Sequence, residues 1–270
     1  MLLRLMKIAG SIAVITGGAR GIGRALGQSL AARGARVVLG DILEEELTQT
    51  VYEIRAAGGE AVAVAADVTR DEDVERLMET AIERFGALHI VCANAGIIRD
   101  GLMLTPDPAT GKIQRAMTSG DFRAVVEVNL VGAFITLREA ARRMADHGWP
   151  GVLLVTSSIN KTGQPGQINY SSTKAAVALW PKILTSELHM CGIRNIRVVG
   201  IAPGYTGTEG LKSMSPAALE ALLKDVHLGR LIAPEELAST IGHVIENDAI
   251  DGTTIEVTGG LTYGPWQRVK

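Results

Sequence analysis

The sequence predicts a single α/β domain of the doubly wound kind: a parallel sheet of about seven strands with helices on both faces. Three observations predict it. Short β-branched runs alternate with long amphipathic stretches along all 270 residues. Most of those runs are apolar nearly throughout rather than at every second position, as strands covered on both faces are. No linker, charge run or low-complexity segment divides the chain, and strand–helix–strand repetition implies right-handed crossovers in one sheet. The composition agrees, with 47% hydrophobic residues, 4% aromatic and 31 glycines, which suits a Val/Ile sheet under Ala- and Leu-rich helices.

The elements follow in order. "SIAVIT" (11–16) runs through a glycine-rich turn into a helix at about 22–33. "ARVVLG" (35–40) precedes a helix at 44–57, and "AVAVAA" (61–66) precedes one at 71–85. "LHIVCA" (88–93) is followed by 97–118, too long for an ordinary connection. Its turn-like centre "PDPATGK" between apolar ends predicts a small hairpin or flap. One long helix is expected at 119–145, then the strand "GVLLVT" (151–156) and a helix at 169–190 that Pro181 should kink near Trp180. "IRVVGI" (196–201) leads to 204–228, where Leu211, Met214, Leu219, Leu222 and Leu223 stand near helical spacing. They fit plain core or a substrate lid. A helix at 234–246 and the strand "TTIEV" (253–257) complete the sheet.

A net charge of −2 provides no field for nucleic acid or a membrane surface, and no apolar run approaches the ~20 residues of a spanning helix. The start "MLLRLMKIAG", interrupted by Arg4 and Lys7, is too short for a signal-peptide core. A soluble cytoplasmic protein is expected. Cys92 and Cys191 lie in apolar surroundings without a C-x-x-C pairing and are expected to be buried free thiols. The five histidines are scattered, and no metal site is expected.

"AVITGGARGIGRAL" carries glycines at 17, 21 and 23 where the first strand enters the first helix. Missing side chains there let backbone approach a pyrophosphate at a helix N-terminus, flanked by Arg20 and Ile22. Asp41, about twenty residues on, suits the two ribose hydroxyls of adenosine; its alternative is a cap for the helix near 44. A carboxylate there repels a 2′-phosphate and favours NAD over NADP, although Arg20 could reach such a phosphate. The dinucleotide-binding part would span about 11–160.

These pieces, with others in a fixed order, resemble the short-chain dehydrogenase/reductase family over nearly the whole chain. The matching segments are "TGGARGIG" (16–23), "DV" (67–68), "NAG" (94–96), "VNL" (128–130), the serines at 157–158, "YSSTK" (170–174) and "APGYTGT" (202–208). The resemblance implies a Rossmann-type domain in which Asp67 and Val68 contact adenine and Asn94 and Gly96 lie beside the cofactor. It implies that Pro203 and Gly204, with Thr206 or Thr208, hold the nicotinamide side, and that Asn129 relays protons beside Lys174. The serine stands thirteen residues before the tyrosine in the usual pattern, which gives Ser157; strand register gives Ser158, which is preferred because the following loop can shorten.

Tyr170 and Lys174 are one helical turn apart on one face. A free phenol has a pKa of about 10, and a nearby ammonium favours its phenolate. The predicted activity is therefore hydride transfer between NAD and a secondary alcohol or ketone, with Tyr170 as general acid/base, Ser158 steadying the substrate oxygen and Lys174 also binding the ribose. The alternatives are an NADPH-linked reductase of 3-oxoacyl thioesters and an NAD-binding sensor without turnover. The flap and lid offer no obvious anion clamp, which points to a neutral alcohol. The C-terminal "TTIEVTGGLTYGPW" resembles the segment through which the family packs into homotetramers.

Overall fold

The computed structural model describes residues 6–261. Seven parallel strands form the sheet: β1 (Ile12–Thr16), β2 (Arg36–Asp41), β3 (Glu60–Ala65), β4 (Ile90–Ala93), then β7 (Gly151–Thr156), β8 (Ile196–Pro203) and β9 (Thr253–Val257), in the order β3-β2-β1-β4-β7-β8-β9. Between β4 and β7 a separate antiparallel pair, β5 (Leu104–Pro106) and β6 (Ile113–Ala116), forms the expected hairpin. Asp107 shapes its tip, its Oδ1 accepting from the backbone N–H groups of Ala109 and Thr110 and from the Thr110 hydroxyl.

The apolar runs have a direct cause. Ala13 and Ile15 of β1 enter a core shared with α1 (Gly21–Ala32), α2 (Glu44–Ala56) and, from the far end of the chain, α9 (Pro234–Glu246). Their neighbours Ile12 and Val14 enter the opposite core, with α3 (Asp71–Phe85), α5 (Ala133–His147) and α6 (Ile168–Met190). With both faces covered, both parities of the strand interior favour apolar residues. The chain winds outward from β1 to β3, then returns to place β4 on the other side of β1. That reversal opens a crevice beyond the C-terminal ends of β1 and β4, where such folds bind ligands.

The structure alters some of these expectations and leaves others standing. The predicted helix at 119–145 is α4 (Ser119–Val126), a π-helical turn at Glu127–Gly132, and α5. A π turn inserts one residue per turn, which a 3.6-residue pattern does not reveal. Cys92 is buried, but Cys191 is exposed just after α6, where the chain leaves the core. Pro181 lies buried within α6, which is one helix from Ile168 to Met190. Residues 204–228 form two short helices, α7 (Glu209–Lys212) and α8 (Pro216–Leu223), with no buried residue in either. Plain core is therefore excluded for their leucines. No described helix is long and apolar enough to cross a membrane.

One buried cation ties the last crossover to the sheet. Arg197 of β8 donates from Nη1 to the carbonyls of Val244 (3.1 Å), Asn247 (3.3 Å) and Ile250 (2.8 Å) and from Nη2 to that of Ile245 (2.6 Å). It also pairs with Asp248 at 3.2 Å. These acceptors are the end of α9 and the turn after it, whose carbonyls lack helical donors. Arg197→Met removes every donor and leaves buried acceptors unpaired, so unfolding stability should fall by about 3 kcal/mol in urea titration.

Candidate active site

The crevice is built from strand ends. β1 stops at Thr16, whose Oγ1 accepts from the N–H groups of Asn94 (3.1 Å) and Ala95 (3.2 Å) just beyond β4. Asn94 returns the contact: its Nδ2 donates to the carbonyls of Thr16 (3.1 Å) and Gly17 (3.2 Å), and its Oδ1 accepts from Thr156 Oγ1 of β7 at 3.2 Å. Three strands and the glycine turn are thereby held in one frame.

The turn itself has the shape its glycines predict. Gly17 and Gly21 adopt φ of +68° and +55°, values that L side chains resist. A Cβ at Gly23 would overlap the Gly17 carbonyl oxygen, so the helix can approach the strand only with glycine there. A Cβ at Gly21 would meet only Thr208, at 3.2 Å from its Cγ2. Arg20, exposed and extended, precedes α1 without a side-chain cap, and the first turn of α1, which holds Ile22, has no acidic residue. Its leading N–H groups and positive end thus face the crevice uncommitted to any carboxylate. The residues present fit a pyrophosphate in this cradle.

Asp41 ends β2 beside it. Its Oδ2 accepts from Ala19 N–H (3.0 Å) and its Oδ1 from Leu43 N–H (3.1 Å). The carboxylate buttresses the glycine turn and the approach to α2, while each oxygen keeps a second lone pair. Asp67 Oδ1 accepts from Thr69, and buried Val68 packs where a Cβ at Gly132 would stand. On the other wall, Pro203 ends β8, Gly204 N–H donates to Val257 (2.8 Å), and Thr206 is buried with its hydroxyl on the Gly204 carbonyl. Of the two threonines, Thr208 is the one beside the glycine turn.

The acid/base candidates meet at the end of β7. Ser157 is buried and donates its hydroxyl to the Lys174 backbone carbonyl at 2.7 Å, a structural bond. Ser158 accepts from Asn160 N–H (3.1 Å), and its hydroxyl stands near enough to the Tyr170 phenol to favour the phenol's ionised form. Lys174 is buried, its Nζ donating to the Thr156 carbonyl at 2.7 Å and lying 5.6 Å from the Tyr170 ring centre. A Cβ on Gly96 would stand 3.6 Å from that Nζ, so glycine keeps the ammonium accessible from the crevice. Asn129, at the π turn, clasps Ile97 from both sides, accepting from its N–H (2.8 Å) and donating to its carbonyl (2.9 Å).

Burial decides the proton affinities. It pushes the Tyr170 phenol above its ordinary value, with the Ser158 hydroxyl opposing and the Asp100 charge adding to the rise. It pulls Lys174 down to about 8. This departs from the sequence expectation that the ammonium lowers the phenol: in this structure desolvation of the phenolate is the larger effect. At neutral pH the site therefore holds a protonated phenol over a mostly charged lysine.

The model of the short chain dehydrogenase family matches residues 11–218. This chain belongs to that family. It is 38% identical to an uncharacterized oxidoreductase of Mycobacterium bovis over 92% of this chain and 95% of the relative. It is 33% identical to a 3-oxoacyl-(acyl-carrier-protein) reductase of Synechocystis, over 95% and 99%. A short-chain type dehydrogenase/reductase from Mycobacterium marinum has the same fold, with a TM-score of 0.83 at 29% identity, covering 96% of this chain and 98% of that one.

In this family member several groups reach the site that no sequence motif marks, and Thr16 was legible only as the first letter of the glycine motif. Thr156, Asn160, Gln167 and Asp100 carry no local pattern and are brought in by strand ends and loops. Gly23→Ala should abolish detectable NAD(P) binding by calorimetry and lower stability, because the overlap is with backbone rather than a yielding side chain.

Proposed function

We propose that the chain transfers hydride between NAD(H) and a secondary alcohol or ketone, with Tyr170 as the general acid/base. The observation that carries the reading is the trio of a half-buried Tyr170 phenol, the buried Ser158 hydroxyl near it and the buried Lys174 ammonium 5.6 Å from its ring centre, at the mouth of an anion-ready glycine turn. When bound, the dinucleotide supplies or accepts the hydride. Gly17, Gly21, Gly23 and the start of α1 would hold its pyrophosphate, Asp41 its adenosine ribose, Asp67 and Val68 its adenine. Lys174 would hold the second ribose, with Asn94, Gly96, Pro203, Gly204 and Thr208 around the nicotinamide. In reduction the Tyr170 phenol gives its proton to the substrate oxygen, and Ser158 donates a second hydrogen bond as negative charge grows there. In oxidation the proton returns to Tyr170, which must first ionise against its raised affinity. Neutral pH thus suits reduction and higher pH suits oxidation.

Asp41 supports NAD, since a carboxylate at the end of β2 would repel a 2′-phosphate bound beside it. A second reading, NADPH-linked reduction of a 3-oxoacyl thioester, draws on the names of the Synechocystis relative and of a Thermotoga maritima relative, 32% identical, and on the exposed Arg20. A sensor without turnover has no use for the Ser158–Tyr170–Lys174 arrangement. Beneath the hairpin a small hollow is lined by Arg99 and Arg115 facing Asp100 and Asp121. Opposed charges there select no anion, which supports a neutral substrate. The hairpin is read as a flap over this hollow, and α7–α8, which follow the C-terminal end of β8, as a lid at the crevice. Exposed Leu179 and Ile183 on α6 and Phe134 on α5 support self-association into the expected homotetramer; residues 262–266 of the C-terminal segment lie outside the described residues.

Two experiments test this. With NADH absorbance followed against a panel of secondary alcohols and ketones, Tyr170→Phe should lower kcat by about 10²–10⁴-fold while NAD still binds. Lys174→Met should harm turnover and binding together. Ser158→Ala should lower turnover alone, whereas Ser157→Ala should cost about 1 kcal/mol of stability with little change in kcat. In the second, the unaltered protein should use NAD better than NADP, and Asp41→Ala should narrow the gap. An NADPH preference of about tenfold would overturn the cofactor assignment.

A further inference from the structure

Between Ser158 and the base of the hairpin runs a chain of side-chain hydrogen bonds that neither the family resemblance nor the roles above assign. Asn160 N–H donates to Ser158 Oγ (3.1 Å), and Asn160 Nδ2 donates to Gln167 Oε1 (2.8 Å). Gln167 Nε2 in turn donates to Asp100 Oδ2 (2.7 Å). Gln167 is buried at the start of α6, while Asp100 sits on the segment between β4 and the hairpin. The same segment is stitched down twice more: Gly101 N–H donates to the Gly166 carbonyl (2.8 Å) and Asn169 Nδ2 to the Arg99 carbonyl (2.8 Å).

The direction of the chain follows from its last member. An ionised carboxylate only accepts, so it orients the Gln167 amide with nitrogen outward and oxygen toward Asn160. That oxygen then holds Asn160 Nδ2, and the Asn160 backbone N–H is aimed at Ser158. One lone pair of Ser158 is thereby occupied from behind, and its proton is left for the phenol or a substrate oxygen. We propose that Asp100 and Gln167 are positioning residues for Ser158, coupling the base of the hairpin to the acid/base site. The proposal rests on the catalytic reading of Ser158 and Tyr170.

The charged groups facing the Tyr170 phenol are Lys174 on its own helix and Asp100 from the segment leading to the hairpin, with Arg99, Arg115 and Asp121 around the hollow that Asp100 borders. Neutralising Asp100 removes a charge that raises the phenol's proton affinity, a smaller influence than burial or the Ser158 hydroxyl. Gln167→Leu breaks the chain but leaves that charge.

The test compares Asp100→Asn, Gln167→Leu, the double variant and Tyr170→Phe. Each is assayed with NAD and the alcohol that the unaltered enzyme oxidises best in the panel above, on the alkaline plateau of its pH profile, where ionisation of the phenol no longer limits the rate. Each single change should lower kcat by about five- to tenfold with the NAD dissociation constant within about twofold, and the double should be no worse than either single, because residues acting through one chain are not additive. Ultraviolet titration of the ligand-free protein, with the Tyr170→Phe trace subtracted, should show the Tyr170 phenol ionising at lower pH in Asp100→Asn. Both singles within about twofold of the unaltered enzyme, or a double whose loss is the product of the two, would overturn the proposal while an inactive Tyr170→Phe leaves the catalytic reading standing. An active Tyr170→Phe would overturn the catalytic reading and the positioning roles with it. Should Asp100→Asn fail to fold, the kcat of Gln167→Leu alone decides.

Discussion

Everything at the crevice depends on how the ends of parallel strands are finished. A parallel sheet leaves amide groups unpaired where its strands stop, and buried ones must find partners. Here one asparagine satisfies three strands: Asn94 binds the Thr16 and Gly17 carbonyls and takes the Thr156 hydroxyl. Lys174 covers the neighbouring Thr156 carbonyl. The glycine turn that faces the dinucleotide and the helix that carries the phenol are thus referenced to the same few strand-end atoms. That shared frame explains how groups far apart in sequence, from Thr16 to Lys174, keep a fixed separation.

Burial sets the chemistry within that frame. The ammonium is buried and the phenol half-buried, and desolvation shifts each toward its neutral form. A tyrosine that holds its proton is a ready acid but a reluctant base. Asp100 adds to the reluctance and Ser158 opposes it, so the balance is exposed to adjustment from the segment leading to the hairpin. The lysine, with its affinity at about 8, keeps most of its charge at neutral pH and loses it through the mildly alkaline range.

The hairpin and the 204–228 segment stand at the same end of the sheet for the same topological reason: both leave from the C-terminal ends of strands, β4 and β8. Neither contributes to the two cores, and Ile98, Leu102, Met103, Leu104 and Ile113 remain exposed along the hairpin and its approach. Apolar surface that stability does not require is surface free for recognition.

Periodicity and composition by themselves determined the seven strands, the six long helical stretches and the single domain, because both parities of a strand interior favour apolar residues when both faces are covered. The glycine spacing, Asp41 and the Tyr170–Lys174 pair were legible for a similar reason: a tight turn, a strand end and one helical turn are local geometries. The π turn at Asn129 was not, since the packing of the folded chain decides where a helix takes in an extra residue. Strand register favoured Ser158 over Ser157, but that the Ser157 hydroxyl is taken up by the Lys174 carbonyl is seen only in the fold. The raised phenol affinity, the exposure of Cys191 and the Asp100–Gln167–Asn160 chain are likewise products of tertiary contact. Desolvation and side-chain hydrogen bonds between distant segments exist only once the chain has folded.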